Sequence, residues 1–144
     1  MNSILLKTAT RYVGALLLTL SLILLYRGHN LPGGGFIGGL MAASSIILFA
    51  YARGWVEAEK RLPVDPLFLI ASGLTVAMLS GLPGILVGDV YMKGLWLPPF
   101  KVFLLGKVKL GTPFLFDVGV YLAVIGFAVK CAFALGTYND SWKS

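Results

Sequence analysis

The chain has 144 residues, enough for one domain, and its 58% hydrophobic content exceeds what a soluble globule carries. Its net charge of +6 does not indicate nucleic acid, because the twelve Lys and Arg flank apolar runs along the whole chain instead of forming one solvated stripe. The single Cys131 excludes an internal disulfide, has no Cys or His beside it for metal or thiol chemistry, and reads as a small buried apolar residue.

Four apolar segments follow in chain order. The first, RYVGALLLTLSLILLY, extends to a helix over about residues 5–26, long enough to cross about 30 Å of hydrocarbon. Lys7 and Arg11 resemble the positive region of a signal peptide, but no small-x-small cleavage site follows, so the segment reads as a retained span. The second, FIGGLMAASSIILFAYA from Phe36 to Ala52, needs some of the preceding glycines for full length, giving about 34–52. The third covers about 66–88, with Asp65 placed to cap it and Pro66 at its first position. Within it, GLPG at Gly81 to Gly84 should kink or end the helix at Pro83.

Between the third and fourth segments, Asp89 to Gly111 is rich in aromatics, Pro and Lys. KVFLLGKVKL there suggests a short hairpin around Gly106, and Tyr91 and Trp96 suit the membrane interface. This stretch is too interrupted to span, so it should lie along the membrane surface or against another protein. The fourth segment, TPFLFDVGVYLAVIGFAVKCAFALG, covers about 113–135, with Thr112 as cap candidate, Pro113 behind it and Gly136 as C-terminal glycine. The expected fold is therefore an all-α integral membrane protein with four transmembrane helices and a long surface segment between helices 3 and 4. Residues 1–144 form a single membrane domain in this reading.

Four spans put the N-terminus, the Arg53 to Asp65 loop and the C-terminus on one side. That side holds Lys7, Arg11, Arg53, Lys60, Arg61, Lys130 and Lys143, against Arg27, Lys93, Lys101, Lys107 and Lys109 on the other, which favours cytoplasmic termini. In either orientation, the loop bearing His29 and the start of the fourth helix, with Asp117, share one face.

The stretch RGHNLPGGGFIGGL, Arg27 to Leu40, gathers the only histidine and six glycines between two apolar runs. A phosphate loop would need a preceding strand and a GKS or GKT ending, and neither is present. Pro32 and the triplet Gly33, Gly34 and Gly35 suit a tight turn. Gly35, Gly39 and Ala43 repeat every four residues, as do Gly34, Gly38 and Ala42, which strips two adjacent stripes of the second helix of bulk. Such faces let helix backbones approach closely in lipid, where packing must replace the hydrophobic drive. So wide a smooth surface predicts a partner helix from outside the chain.

His29 has two readings, a polar residue at the headgroups or a titrating group on an ion path, for which an unperturbed pKa of about 6.5 suits it. Asp117 has two as well. A carboxylate in mid-span costs about 2.5 to 3.5 kcal/mol and marks function, but Asp117 lies only about 6 Å into its helix, where the helix dipole and interfacial water help it. Tyr121, one turn deeper, could donate a hydrogen bond to it. Lys130, about 20 Å from Asp117 along the helix, cannot pair with it and should snorkel to the headgroups. No catalytic set, carboxylate pair, haem-ligand pair, metal cluster or cofactor motif is present in the sequence, so a non-enzymatic component of a larger assembly fits best.

RGHNLPGGGFIGGLMAA, Arg27 to Ala43, resembles the signature of the MnhB family, one of the small membrane subunits of the Mrp-type multisubunit cation/proton antiporters. TPFLFDVGVYLAVIG, Thr112 to Gly126, is similar to that family's second characteristic stretch. The likeness covers essentially the whole chain in length, span count and order. It implies a prokaryotic plasma-membrane complex of six or seven different membrane subunits that exchanges Na⁺, and sometimes K⁺ or Li⁺, for protons. Large subunits like those of respiratory complex I are implied to carry the main proton route. The motif falls on Gly28, His29, Pro32, Gly33, Gly34, Gly35, Phe36, Gly38 and Gly39, and on Asp117, Gly119 and Tyr121. The resemblance implies a required subunit; the shared membrane face and motif membership of His29 and Asp117 make them, with Tyr121, candidates for one mouth of an ion pathway in a subunit that also supports assembly. Two alternatives stand beside it: the equivalent subunit of a membrane-bound hydrogenase or other ferredoxin-linked pump, and a pure scaffold.

Overall fold

The computed structural model describes residues 4–28, 34–88, 90–95, 100–102, 106–108 and 111–141. Helix α1 is Ile4–Gly28 and α2 is Gly34–Arg53, and a short α3, Trp55–Arg61, follows. Then come α4, Pro66–Leu79, α5, Leu82–Leu86, strands β1, Phe100–Val102, and β2, Gly106–Val108, and the long α6, Thr112–Ser141. Four segments are long and apolar enough to cross a membrane: Thr8–Gly28, Gly34–Arg53, Pro66–Leu86 and Thr112–Tyr138. The fold is the expected all-α, four-span membrane architecture. Helix α2 packs between α1 and α6, and α6 between α2 and α4, while α1 and α4 share no comparable contact. The spans therefore stand as a row with α2 and α6 in the middle.

The smooth face of α2 explains that order. Gly34, Gly35, Gly38, Gly39, Ala42 and Ala43 are all buried within the chain. One stripe meets α1: a Cβ on Gly38 would lie 2.9 Å from the Ser21 carbonyl oxygen, and Gly34 lies against the Gly28 backbone. The other meets α6: a Cβ on Gly39 would stand 2.9 Å from the Tyr121 carbonyl oxygen and 2.9 Å from the Val124 Cβ. The expectation of an outside partner on these stripes is corrected here, since α1 and α6 use both of them. Close backbone approach is the reason, as van der Waals fit is what holds helices together in lipid.

The third span breaks where its sequence warns, short of the expected 66–88. Asp65 caps α4 by accepting the Leu67 amide at 2.8 Å, with Pro66 at the first turn. Pro83 has no N–H to offer the carbonyl four residues back, and the chain turns at Ser80 and Gly81 before α5. Tyr91 folds back over this break: its ring lies against Gly81 and its hydroxyl donates to the Met78 carbonyl at 2.8 Å. Trp96 lies outside the described residues.

Other elements differ from expectation for local reasons. The Arg53 to Asp65 connection contains α3, set off from α2 by Gly54 at φ 103°, a left-handed conformation that favours glycine. Seven residues do not sustain a helix by propensity. Glu57, 2.9 Å from the Arg61 guanidinium, and the buried Ala58 hold it instead. Thr112 is not the cap of α6. The Gly111 carbonyl accepts from the Phe114 and Leu115 amides, while the Thr112 hydroxyl accepts the Leu95 amide at 3.1 Å and so ties down the surface segment. Nor does α6 stop at Gly136. That glycine is a contact, not a terminator, because the Trp55 indole occupies the space its Cβ would need. Cys131, expected to be buried, is exposed on the outer face of α6. In the surface segment β1 and β2 pair antiparallel, with Lys101 opposite Lys107 and Gly106 opposite Val102, so Gly106 sits in a strand and not at the turn.

Candidate functional site at the α1–α2–α6 junction

Three helix ends converge at one membrane face. Gly28 closes α1 and Gly34 opens α2, and their backbones touch so closely that neither position has room for a Cβ. One residue on, Gly35 is pressed against the Asp117 backbone of α6, and a Cβ there would collide with the Asp117 carbonyl. Glycine is required at all three positions because each is a backbone-to-backbone crossing. His29, Pro32 and Gly33 lie outside the described residues. The residues flanking them, Gly28 and Gly34, touch each other, and Gly34 precedes the Gly35 that meets Asp117.

Asp117 is half-buried. Tyr121, one turn deeper, is 9% exposed, and its hydroxyl stands 2.7 Å from the Ser21 hydroxyl of α1, with either able to donate. The sequence pointed that hydroxyl at Asp117; the bond found is with Ser21. To make it, the Tyr121 ring passes across α2 at Gly38, whose Cβ would lie 3.4 Å from the ring. Ser21 is fully buried and had no signal in the sequence, being one hydroxyl in a long aliphatic run. Only the bulkless position facing it on α2 could have suggested a buried polar crossing. A second interhelical bond lies two turns further in on α1, where the Ser45 hydroxyl of α2 donates to the Gly14 carbonyl at 3.0 Å.

Of the other motif residues, Gly119 packs on α4, where a Cβ would be 2.5 Å from the Ala77 amide, and Phe36 turns outward, about half exposed. Among the described residues no group of three His, Cys, Asp or Glu gathers to hold a metal. The arrangement offers a carboxylate at a membrane face and a hydroxyl pair inside it. Both suit the handling of a proton or hydrated cation.

Comparison with known proteins identifies the family. Residues 5–130 match the family described as a domain related to the MnhB subunit of Na+/H+ antiporter. The chain belongs to the MnhB family. It is 42% identical over 128 residues to the B subunit of the Na(+)/H(+) antiporter of Alkalihalophilus pseudofirmus, covering 89% of this chain and 88% of that protein. It is 36% identical to the corresponding Na(+)/H(+) antiporter protein of Bacillus subtilis, covering 94% of each. Among solved structures, a chain in the Mrp complex from a Dietzia species superposes with a TM-score of 0.77 at 36% identity, over 92% of this chain. The match spans 14% of that much longer chain.

Proposed function

We propose that this MnhB-family chain is a non-enzymatic subunit of a prokaryotic plasma-membrane cation/proton antiporter, and that its His29–Asp117 end forms one mouth of an ion pathway. The observation that carries the reading is the contact of Gly35 with the Asp117 backbone. It brings the only carboxylate of the four spans beside the start of α2, which follows the only histidine of the sequence by five residues. An imidazole near neutral pKa and a carboxylate at one face can exchange protons with bulk water and attract a cation. Tyr121 and Ser21 extend that polar site inward by one turn.

Two chain-level expectations belong to the same reading. The cation is Na⁺, as in the names of the Alkalihalophilus and Bacillus relatives. The partners are the other subunits of a six- or seven-membered complex, including the complex-I-like large ones, with both termini of this chain cytoplasmic. The test is Na⁺-dependent proton exchange in everted vesicles carrying the whole complex, with His29→Ala and Asp117→Asn introduced singly. Each should lower exchange by about tenfold or more while complex yield stays normal. Unchanged exchange in both variants would leave the chain as a scaffold.

A further inference from the structure

Strands β1 and β2 pair only with each other, and their register sets Lys101 directly across from Lys107. A two-stranded hairpin is marginal in water, and like charges directly opposite weaken it further. From Val90 to Phe116 the sequence holds Lys93, Lys101, Lys107 and Lys109 and no acidic residue, while Asp89 and Asp117 flank the segment. The four cations thus exceed the flanking acids by two, and the lysine pair calls for an anion from outside the hairpin. Its two faces also differ. Successive strand residues belong to opposite faces, so the register assigns Lys101 and Lys107 to one and Phe100, Val102 and Val108 to the other.

The hairpin leaves and rejoins the chain at the membrane boundary. Leu95 and Thr112 close its stem: the Thr112 hydroxyl accepts the Leu95 amide at 3.1 Å, and the Thr112 amide donates to the Leu95 carbonyl at 3.0 Å. Thr112 also begins the fourth span, and Leu86 ends the third. Just past that end the chain stays apolar and uncovered, with Leu86 85%, Val87 67% and Val90 71% exposed. Water disfavours such a surface, whereas acyl chains accept it.

We propose that the β1–β2 hairpin lies on the bilayer at the Asp117 face, with the side holding Phe100, Val102 and Val108 toward the acyl chains, and that Lys101 and Lys107 together bind the phosphate of an anionic phospholipid. The hairpin needs an apolar neighbour on one face and an anionic one on the other, and the boundary between acyl chains and headgroups supplies both at once. A zwitterionic headgroup satisfies the pair less well, because its own cation competes for the phosphate. The inference depends on the four spans alone and holds whichever complex the chain serves.

The experiment is photo-cross-linking in the intact complex, with p-benzoylphenylalanine in place of Phe100, in nanodiscs of equal parts phosphatidylglycerol and phosphatidylcholine. Mass spectrometry of the irradiated chain should find lipid adducts at position 100, with phosphatidylglycerol in excess. Adducts chiefly with another protein chain would make the hairpin a subunit contact, and none at all would put it in water; either result overturns the proposal. Lys101→Gln combined with Lys107→Gln should lower the ratio of phosphatidylglycerol to phosphatidylcholine adducts by about fivefold or more, since one lysine near an anionic surface is worth about that factor. Lys101→Arg combined with Lys107→Arg should keep the ratio. A ratio unchanged by the Gln pair would mean that the lysines do not recognise the anionic lipid, and the proposed site would be wrong.

Discussion

The two faces that meet at Gly39 and Leu40 differ in almost every respect. On one side lie glycines and alanines, buried and in contact with the backbones of α1 and α6; on the other lie large aliphatic and aromatic side chains, exposed over a groove. In water the bulky face would be the core and the bulkless one the surface. Here the order is reversed, because lipid rewards neither face for hiding and only close fit holds helices together.

Substitutions on neighbouring residues can break that contrast. Gly39→Leu should have the largest effect, about 3 kcal/mol or more of overpacking between α2 and α6, read as loss of the folded chain in detergent thermal scans. Leu40→Ala, one residue away on the open side, should leave the chain's own melting nearly unchanged, within about 1 kcal/mol. A Leu40→Ala loss as large as that of Gly39→Leu would show the groove to be internal core. Trp55→Ala comes next, at about 2 kcal/mol, since the indole packs on Gly136 and stands edge-on to Phe133 with ring centroids 5.7 Å apart. Ser21→Ala should cost about 0.6 kcal/mol, typical of an interhelical hydroxyl bond in a membrane. A much larger cost would make the Ser21–Tyr121 pair a structural clamp. Smallest is Glu57→Gln, at about 0.3–0.5 kcal/mol, because the Arg61 pair is solvent-exposed on α3.

The spans were legible in the sequence because length and hydropathy suffice for them, and Asp65 and Pro66 marked the start of α4 because capping is local chemistry. What escaped depended on neighbours. Small residues on α2 announced close contact but could not say with which helix, so the stripes suggested an outside partner when α1 and α6 were waiting. Gly136 has the composition of a helix stop, and only the Trp55 indole above it reveals a contact glycine. Helix α3 was invisible because its seven residues gain their stability from packing. At the candidate site, Asp117 and Tyr121 could be named from the sequence. Ser21 could not, since nothing in an aliphatic run tells which hydroxyl faces a tyrosine two helices away.

The functional reading depends most on residues 29 and 117 meeting at one mouth, and oxidative cross-linking in native membranes tests that directly. In a Cys131→Ser background, His29→Cys combined with Asp117→Cys should form a disulfide within the chain, recovered as a linked peptide by mass spectrometry. Thiols that stay free under oxidation, in a complex that assembles normally, would mean that the histidine turn and the α6 carboxylate do not share a site, and the proposed mouth would be wrong.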